Sequence, residues 1–141
     1  VTLSPRLPFF VYGTLRPGEP NHDRFLRGRT RVEEPGRLSG AVLYDGPGYP
    51  YAVEAARGVV RGELVTALPE AYGELLVELD RLEEYAPGDL RNLYERVERE
   101  VTRDADGTTV RAWVYVAAPA VASQLRARGR VIGSGDWRER S

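Results

Sequence analysis

Residues 7–12 form an apolar and aromatic run without polar alternation, bounded by Pro5 and Pro8 on one side and Gly13 on the other, which predicts a buried strand. The chain continues through Gly13-Thr14-Leu15-Arg16-Pro17-Gly18 into Pro20-Asn21-His22, where Asn21 stands as the N-cap of a short helix through Phe25 and Leu26 that Gly28 stops. Four β-like pieces follow at 31–38, 41–44, 51–54 and 59–66, separated by Gly40, the Asp45-Gly46-Pro47-Gly48 turn and Gly58. They read as an antiparallel meander. Pro69 opens the one long helical pattern, from 70 to about 84, with Tyr72, Leu75, Leu76, Leu79 and Leu82 at helical spacing and Ala86-Pro87-Gly88-Asp89 as its end. The runs 94–103 and 108–116 then face each other across Asp104-Ala105-Asp106-Gly107, a hairpin pattern. A last short helix is expected at 119–128, followed by a tail rich in Gly and charge at 129–141. Strands outnumber helices, so the class is α+β: a mostly antiparallel sheet or small barrel with one main helix packed on it.

One position on that helix departs from the pattern. At about 100° per residue, with Leu79 at zero, the apolar stripe runs from Leu82 near about −60° to Leu76 near about +60°. Glu83 falls inside it at about +40°, whereas Glu70, Glu74, Glu78, Arg81 and Glu84 fall outside, where charge belongs. A carboxylate on a buried face costs several kcal/mol if it is ionised and unpaired, and the last turn of a helix sets it against the negative end of the dipole. Both effects raise its pKa, as a general base or acid near neutral pH requires. Two plainer arrangements account for the same residue: the helix frays before Glu83 and leaves it solvated, or an arginine such as Arg96 pairs with it. Glu83 and Glu84 do not form a carboxylate dyad, because helix neighbours point about 100° apart.

Composition removes several other chemistries. The 141 residues, 42% hydrophobic and 29% charged, have the size and balance of one globular domain over residues 1–141, with a core of about 7–137. A net charge of −1 supplies no field for nucleic acid or an anionic membrane. There is no Cys and one His, His22, so a zinc site, an iron–sulfur site or a His-based triad has too few ligands, and no metal is expected. All 20 basic residues are Arg, which removes Schiff-base lysines and the P-loop lysine. No window reaches the roughly 18 apolar residues of a spanning helix, and residues 1–7 lack the basic and apolar regions of a secretory leader, so a cytoplasmic location is expected.

The run Phe9-Phe10-Val11-Tyr12-Gly13-Thr14-Leu15 delivers a glycine-containing loop from the end of a buried strand. Gly13 lets the backbone approach a ligand closely, and successive loop N–H groups can hold a carboxylate or oxyanion. A plain turn has the same pattern. Without Gly-x-Gly-x-x-Gly or Lys, the loop has nothing specific for phosphate.

Three segments in order carry a resemblance: Val11-Tyr12-Gly13-Thr14-Leu15-Arg16, Leu79-Asp80-Arg81-Leu82-Glu83 and Leu93-Tyr94-Glu95-Arg96-Val97. Together they resemble the γ-glutamylcyclotransferase-like (AIG2-like) family over residues 7–115, with Ser134-Gly135-Asp136-Trp137 as an extension, and Gly18-Glu19-Pro20-Asn21-His22 is similar to the γ-glutamylamine cyclotransferase branch. The resemblance implies a small mixed, mostly antiparallel β-barrel with one main helix and short flanking helices. It further implies a reaction without metal or organic cofactor: the α-amine of a γ-glutamyl group attacks its own side-chain carbonyl, releasing 5-oxoproline and an amine. By the same resemblance Glu83 takes the proton from the amine, Tyr12, Gly13, Thr14 and Leu15 hold the α-carboxylate, and Tyr115 matches an aromatic residue at the pocket.

The remaining assignments are open at this level. Tyr94 and Arg96 share a strand face, where Arg96 either orients Glu83 or solvates an edge; Tyr115 fits core packing equally well. His22 reads as a capping or surface residue, Trp137 as a cover for the core, Asp80 as structural, and 85–93 as a lid or specificity loop. The expected partner is a small-molecule γ-glutamyl substrate, with the chain as a monomer or homodimer. The competing class is a non-catalytic small-molecule or partner-binding domain on the same fold, which would have no need of an ionisable Glu83.

Overall fold

The computed structural model describes residues 6–139. Five strands, β1 (Phe9–Val11), β2 (Thr30–Tyr44), β3 (Tyr51–Ala67), β4 (Tyr94–Arg103) and β5 (Thr109–Ala117), close into a barrel in the order β1-β3-β2-β4-β5. The paired strands are antiparallel except β1 and β5, which meet in parallel at Phe9 and Trp113. That single parallel contact closes the barrel and makes it mixed. Two helices, α1 (Tyr72–Leu82) and α2 (Pro119–Arg128), lie outside it.

The meander expected from four short pieces is instead two long strands. β2 passes through Gly40, which adopts φ +79° at a register shift between Ser39 and Ala41, so the glycine bends the strand as a bulge and pairing with β3 continues. β3 passes through Gly58 at φ +127°, where any Cβ would come 2.4 Å from the Ala41 carbonyl oxygen. The two glycines bend strands that remain paired. The hairpin of β4 and β5 lies where it is expected, with Tyr94 opposite Ala117 and Thr102 opposite Thr109.

Alternation along the strands sorts the apolar side chains into two layers. Phe10, Leu38, Val60, Leu64, Val101 and Val114 pack together as the barrel interior, and Ile132 and Trp137 of the C-terminal segment join them. Trp137 does cover the core. Phe9, Val11, Val65 and Tyr115 pack on the other face with Leu75 and Leu79 of α1. Both leucines are fully buried, each contributing about 2 kcal/mol of apolar transfer.

The helix is shorter than its pattern. A 3₁₀ turn (Pro69–Ala71) leads into it, and it stops at Leu82 because Glu84 takes the left-handed conformation at φ +53°. The Glu84 N–H then donates to the Arg81 carbonyl at 3.1 Å and the Tyr85 N–H to the Asp80 carbonyl at 2.8 Å, the pairing of a Schellman cap. The short helix after Asn21 is a single π turn (His22–Leu26), and Asn21 makes no side-chain cap to it. Residues 1–5, 140 and 141 lie outside the described residues, and with them most of the leader reading at 1–7 and the end of the tail reading at 129–141. No helix among the described residues is long and apolar enough to cross a membrane.

Candidate active site

A cavity of about 420 Å³ opens where β1 ends. Tyr12, Gly13, Thr14 and Leu15 form one wall, Glu83 and Glu84 at the end of α1 form another, and Tyr94, Tyr115, Tyr49 and Pro50 complete it. Seven residues singled out from the sequence, Tyr12, Gly13, Thr14, Leu15, Glu83, Tyr94 and Tyr115, thus meet in one space. Arg96 is not on that wall.

The loop is pressed into place from both sides. A Cβ on Gly13 would lie 2.8 Å from Pro50 Cδ, so only glycine allows this approach. Asn21, expected as a helix cap, instead donates its side-chain amide to Thr14 Oγ1 at 2.8 Å and lines the cavity. Arg16 follows the loop directly and is buried; its Nε donates to Glu63 Oε1 at 2.8 Å, its second terminal nitrogen to Glu63 Oε2 at 3.1 Å, and its first to Asp136 Oδ1 at 2.6 Å. Among the described residues nothing accepts a hydrogen bond from the N–H groups of Gly13, Thr14 or Leu15. Three consecutive residues of the wall thus carry backbone N–H groups with no acceptor among the described residues.

Glu83 is the C-cap residue of α1, its N–H donating to the Leu79 carbonyl at 3.0 Å, so it keeps the helical register although the regular helix has ended. Its side chain sits partly buried at the wall. No hydrogen bond or ion pair from the described residues reaches its carboxylate, and burial pushes its pKa from an ordinary 4.5 up to about 7. Neither of the plainer arrangements holds: Glu83 is not in open solvent, and Arg96 pairs elsewhere, with its Nε 2.9 Å from Asp80 Oδ1.

The phenols around Glu83 are kept neutral. Burial, with the Glu83 charge as a smaller cause, raises the pKa of Tyr12, Tyr51, Tyr94 and Tyr115. Each also has a defined place. The Tyr12 hydroxyl donates to the Tyr115 carbonyl at 2.5 Å and accepts from the Ala52 N–H at 3.2 Å. Tyr94 donates to the Pro50 carbonyl at 2.7 Å and stacks on Tyr51 at 4.7 Å, and Tyr115 donates to Asp80 Oδ1 at 2.6 Å.

The sequence pattern gives no pocket role to Asn21, Gly48, Tyr49, Pro50, Leu82 or Glu84, which also line the wall. The two tyrosines flanking Pro50 after a glycine turn are the sequence signal for part of that wall. The segment 85–93 contributes only Leu93; it is stapled to itself by buried Asn92, which accepts from the Ala86 N–H at 3.1 Å and donates to the Ala86 carbonyl at 2.7 Å. His22 stands off the wall with Nε2 2.6 Å from Glu33 Oε1. No group of three or more His, Asp or Glu among the described residues is arranged to hold a metal ion.

A family model described as gamma-glutamyl cyclotransferase, AIG2-like, matches residues 9–139. The gamma-L-glutamyl-butirosin B gamma-glutamyl cyclotransferase of Niallia circulans is 39% identical over 108 residues, covering 76% of this chain but only 64% of that protein's length. An uncharacterized protein from Pyrococcus horikoshii superposes with a TM-score of 0.60 at 27% identity, covering 94% of this chain and 91% of the other. An AIG2-like protein from Mus musculus superposes with a TM-score of 0.62 at 24% identity over 81% of this chain and 80% of its own, a likeness of fold.

Proposed function

The chain belongs to the gamma-glutamyl cyclotransferase, AIG2-like family, and on that premise we propose that it converts a γ-glutamyl amine or peptide to 5-oxoproline and a free amine, with Glu83 as general base and acid. The observation that carries the proposal is the unpaired Glu83 carboxyl, raised to about 7, in the same cavity as the free amides of Gly13, Thr14 and Leu15. Those amides hold the substrate α-carboxylate, with Tyr12 fixing the loop through its own hydrogen bonds. Glu83 takes a proton from the α-ammonium, and the nitrogen lone pair attacks the γ-carbonyl carbon. A C–N bond forms to close the five-membered ring. Glu83 returns its proton to the departing nitrogen as the original amide bond breaks. Glu83 then takes the second proton from the ring nitrogen and passes it to the departed amine, which leaves as an ammonium, so two protons have crossed and Glu83 ends as it began.

The ring closure needs no second reactant, so holding the chain folded supplies much of the rate. A base of pKa near 7 suits the task, because a carboxylate of ordinary pKa accepts an ammonium proton poorly and a group titrating far above 7 would be protonated at the start. The test is a panel of γ-glutamyl peptides, γ-glutamyl polyamines, ε-linked γ-glutamyl-lysine and γ-glutamyl-butirosin B, assayed for 5-oxoproline. Release from at least one member is expected. Binding of panel members without any release would instead indicate a non-catalytic binding domain on this fold.

A further inference from the structure

We infer that Asp80 and Arg96 are positioning residues for the Tyr115 hydroxyl, and that this hydroxyl turns a lone pair toward the cavity, where it recognises the α-amino group of the γ-glutamyl unit. The inference rests on the proposed function and adds a specificity element to the same site.

Three elements converge on one oxygen. Asp80, three residues before Glu83 on α1, accepts the Tyr115 hydroxyl from β5 at 2.6 Å and the Arg96 Nε from β4 at 2.9 Å, both on Oδ1. Tyr115 and Arg96 are register partners across the hairpin, so the sheet itself sets their spacing. Arg96 is fixed in turn: its guanidinium carbon lies 4.3 Å from the Trp113 ring centre and 5.5 Å from that of Tyr85. Trp113 Nε1 donates to the Tyr72 hydroxyl at 3.1 Å, which donates to the Leu7 carbonyl at 2.9 Å. The oxygen that receives the Tyr115 proton is therefore braced well back into the fold.

A phenol has one proton to donate. With that proton committed to Asp80, Tyr115 can show the cavity only acceptor lone pairs, so its ligand there must be a donor. The α-carboxylate and γ-carbonyl oxygen of a γ-glutamyl unit are acceptors, and its donors are the α-amine and the amide N–H at the leaving end. Glu83 selects between these two: it borders the same cavity, and its charge is felt at the Tyr115 phenol. Tyr115 and Glu83 together offer two acceptors to one nitrogen. An amine whose N–H bonds are held by both has its lone pair left for the γ-carbonyl.

The experiment uses the γ-glutamyl amine that the wild type turns over best and its unreactive counterpart, a glutaric acid monoamide of the same leaving amine in which hydrogen replaces the α-amine. Tyr115→Phe is expected to lower kcat/KM by about ten- to a hundredfold, the range for a hydrogen bond to a charged group, while the inhibition constant of the deamino analogue changes less than about twofold. Asp80→Ala should lose a similar factor and add nothing in the Tyr115→Phe background, and Asp80→Asn, which keeps an oxygen for both donors, should recover most of the activity. Equal weakening of substrate and deamino analogue by Tyr115→Phe overturns the inference, as do independent, multiplying losses in the double variant. If Asp80→Ala does not fold, the Tyr115→Phe comparison still decides. A wild type that yields no 5-oxoproline from any panel member is a different failure, that of the proposed function itself, and the inference falls with it.

Discussion

Glu63 and Glu83 are both withdrawn from solvent near the loop that begins at Tyr12, yet their surroundings are opposite. Glu63 is held by Nε and one terminal nitrogen of the Arg16 guanidinium, whose other terminal nitrogen reaches Asp136, so its charge is answered inside the fold. Glu83 has no cation among the described residues, and its pKa stands at about 7. The difference separates a carboxylate whose charge is paired from one left unpaired at the wall of a cavity. Burial alone does not distinguish them; the partner does.

The contrast breaks most severely at Arg16. Arg16→Ala leaves Glu63 and Asp136 without their shared cation, and the expected cost is about 3–5 kcal/mol, read as a lowered midpoint in urea unfolding. At Glu83 the expected effect is on turnover: Glu83→Gln keeps the shape and folds, but kcat for 5-oxoproline release falls about 10²-fold or more. The same variant sharpens the comparison through stability. The folded-state pKa of about 7 exceeds the ordinary 4.5, so the folded protein binds more protons between these values and loses stability as pH rises through them. Glu83→Gln should therefore raise stability on the order of 1–3 kcal/mol above pH 7, with the gain vanishing below about pH 4.5 in unfolding measured across that range. The smallest effect is at the neighbouring residue. Glu84 occupies the left-handed cap position at φ +53°, so Glu84→Gly should stabilise the fold by about 0.5–1 kcal/mol, visible as a small rise in Tm.

Much of this contrast was legible in the residues. The apolar stripe of α1 exposes Glu83 as misplaced, because helical periodicity converts spacing directly into a face; it does not show that the cap at Glu84 ends the regular helix at Leu82. The hairpin of β4 and β5 was legible for the same local reason. The continuity of β2 and β3 was not, since Gly40 and Gly58 look like breaks until the partner strand is known. The parallel contact of Phe9 with Trp113 and the pairing of Arg16 with Glu63 and Asp136 join residues far apart in the chain, and no local pattern announces them. The residue type of Asn21 suits a helix cap, but its amide instead donates to Thr14. Asp80, at the edge of the stripe, reads as structural, and its bonds to Tyr115 and Arg96 join residues that no local pattern brings together.

The most direct test of Glu83 as the general base is the pH dependence of kcat/KM for 5-oxoproline release by the wild type. A base that must be ionised to accept the amine proton makes kcat/KM rise with pH and level off above an apparent pKa of about 7. A profile already level from pH 5 upward, or one whose rise persists unchanged in Glu83→Gln, would contradict the assignment.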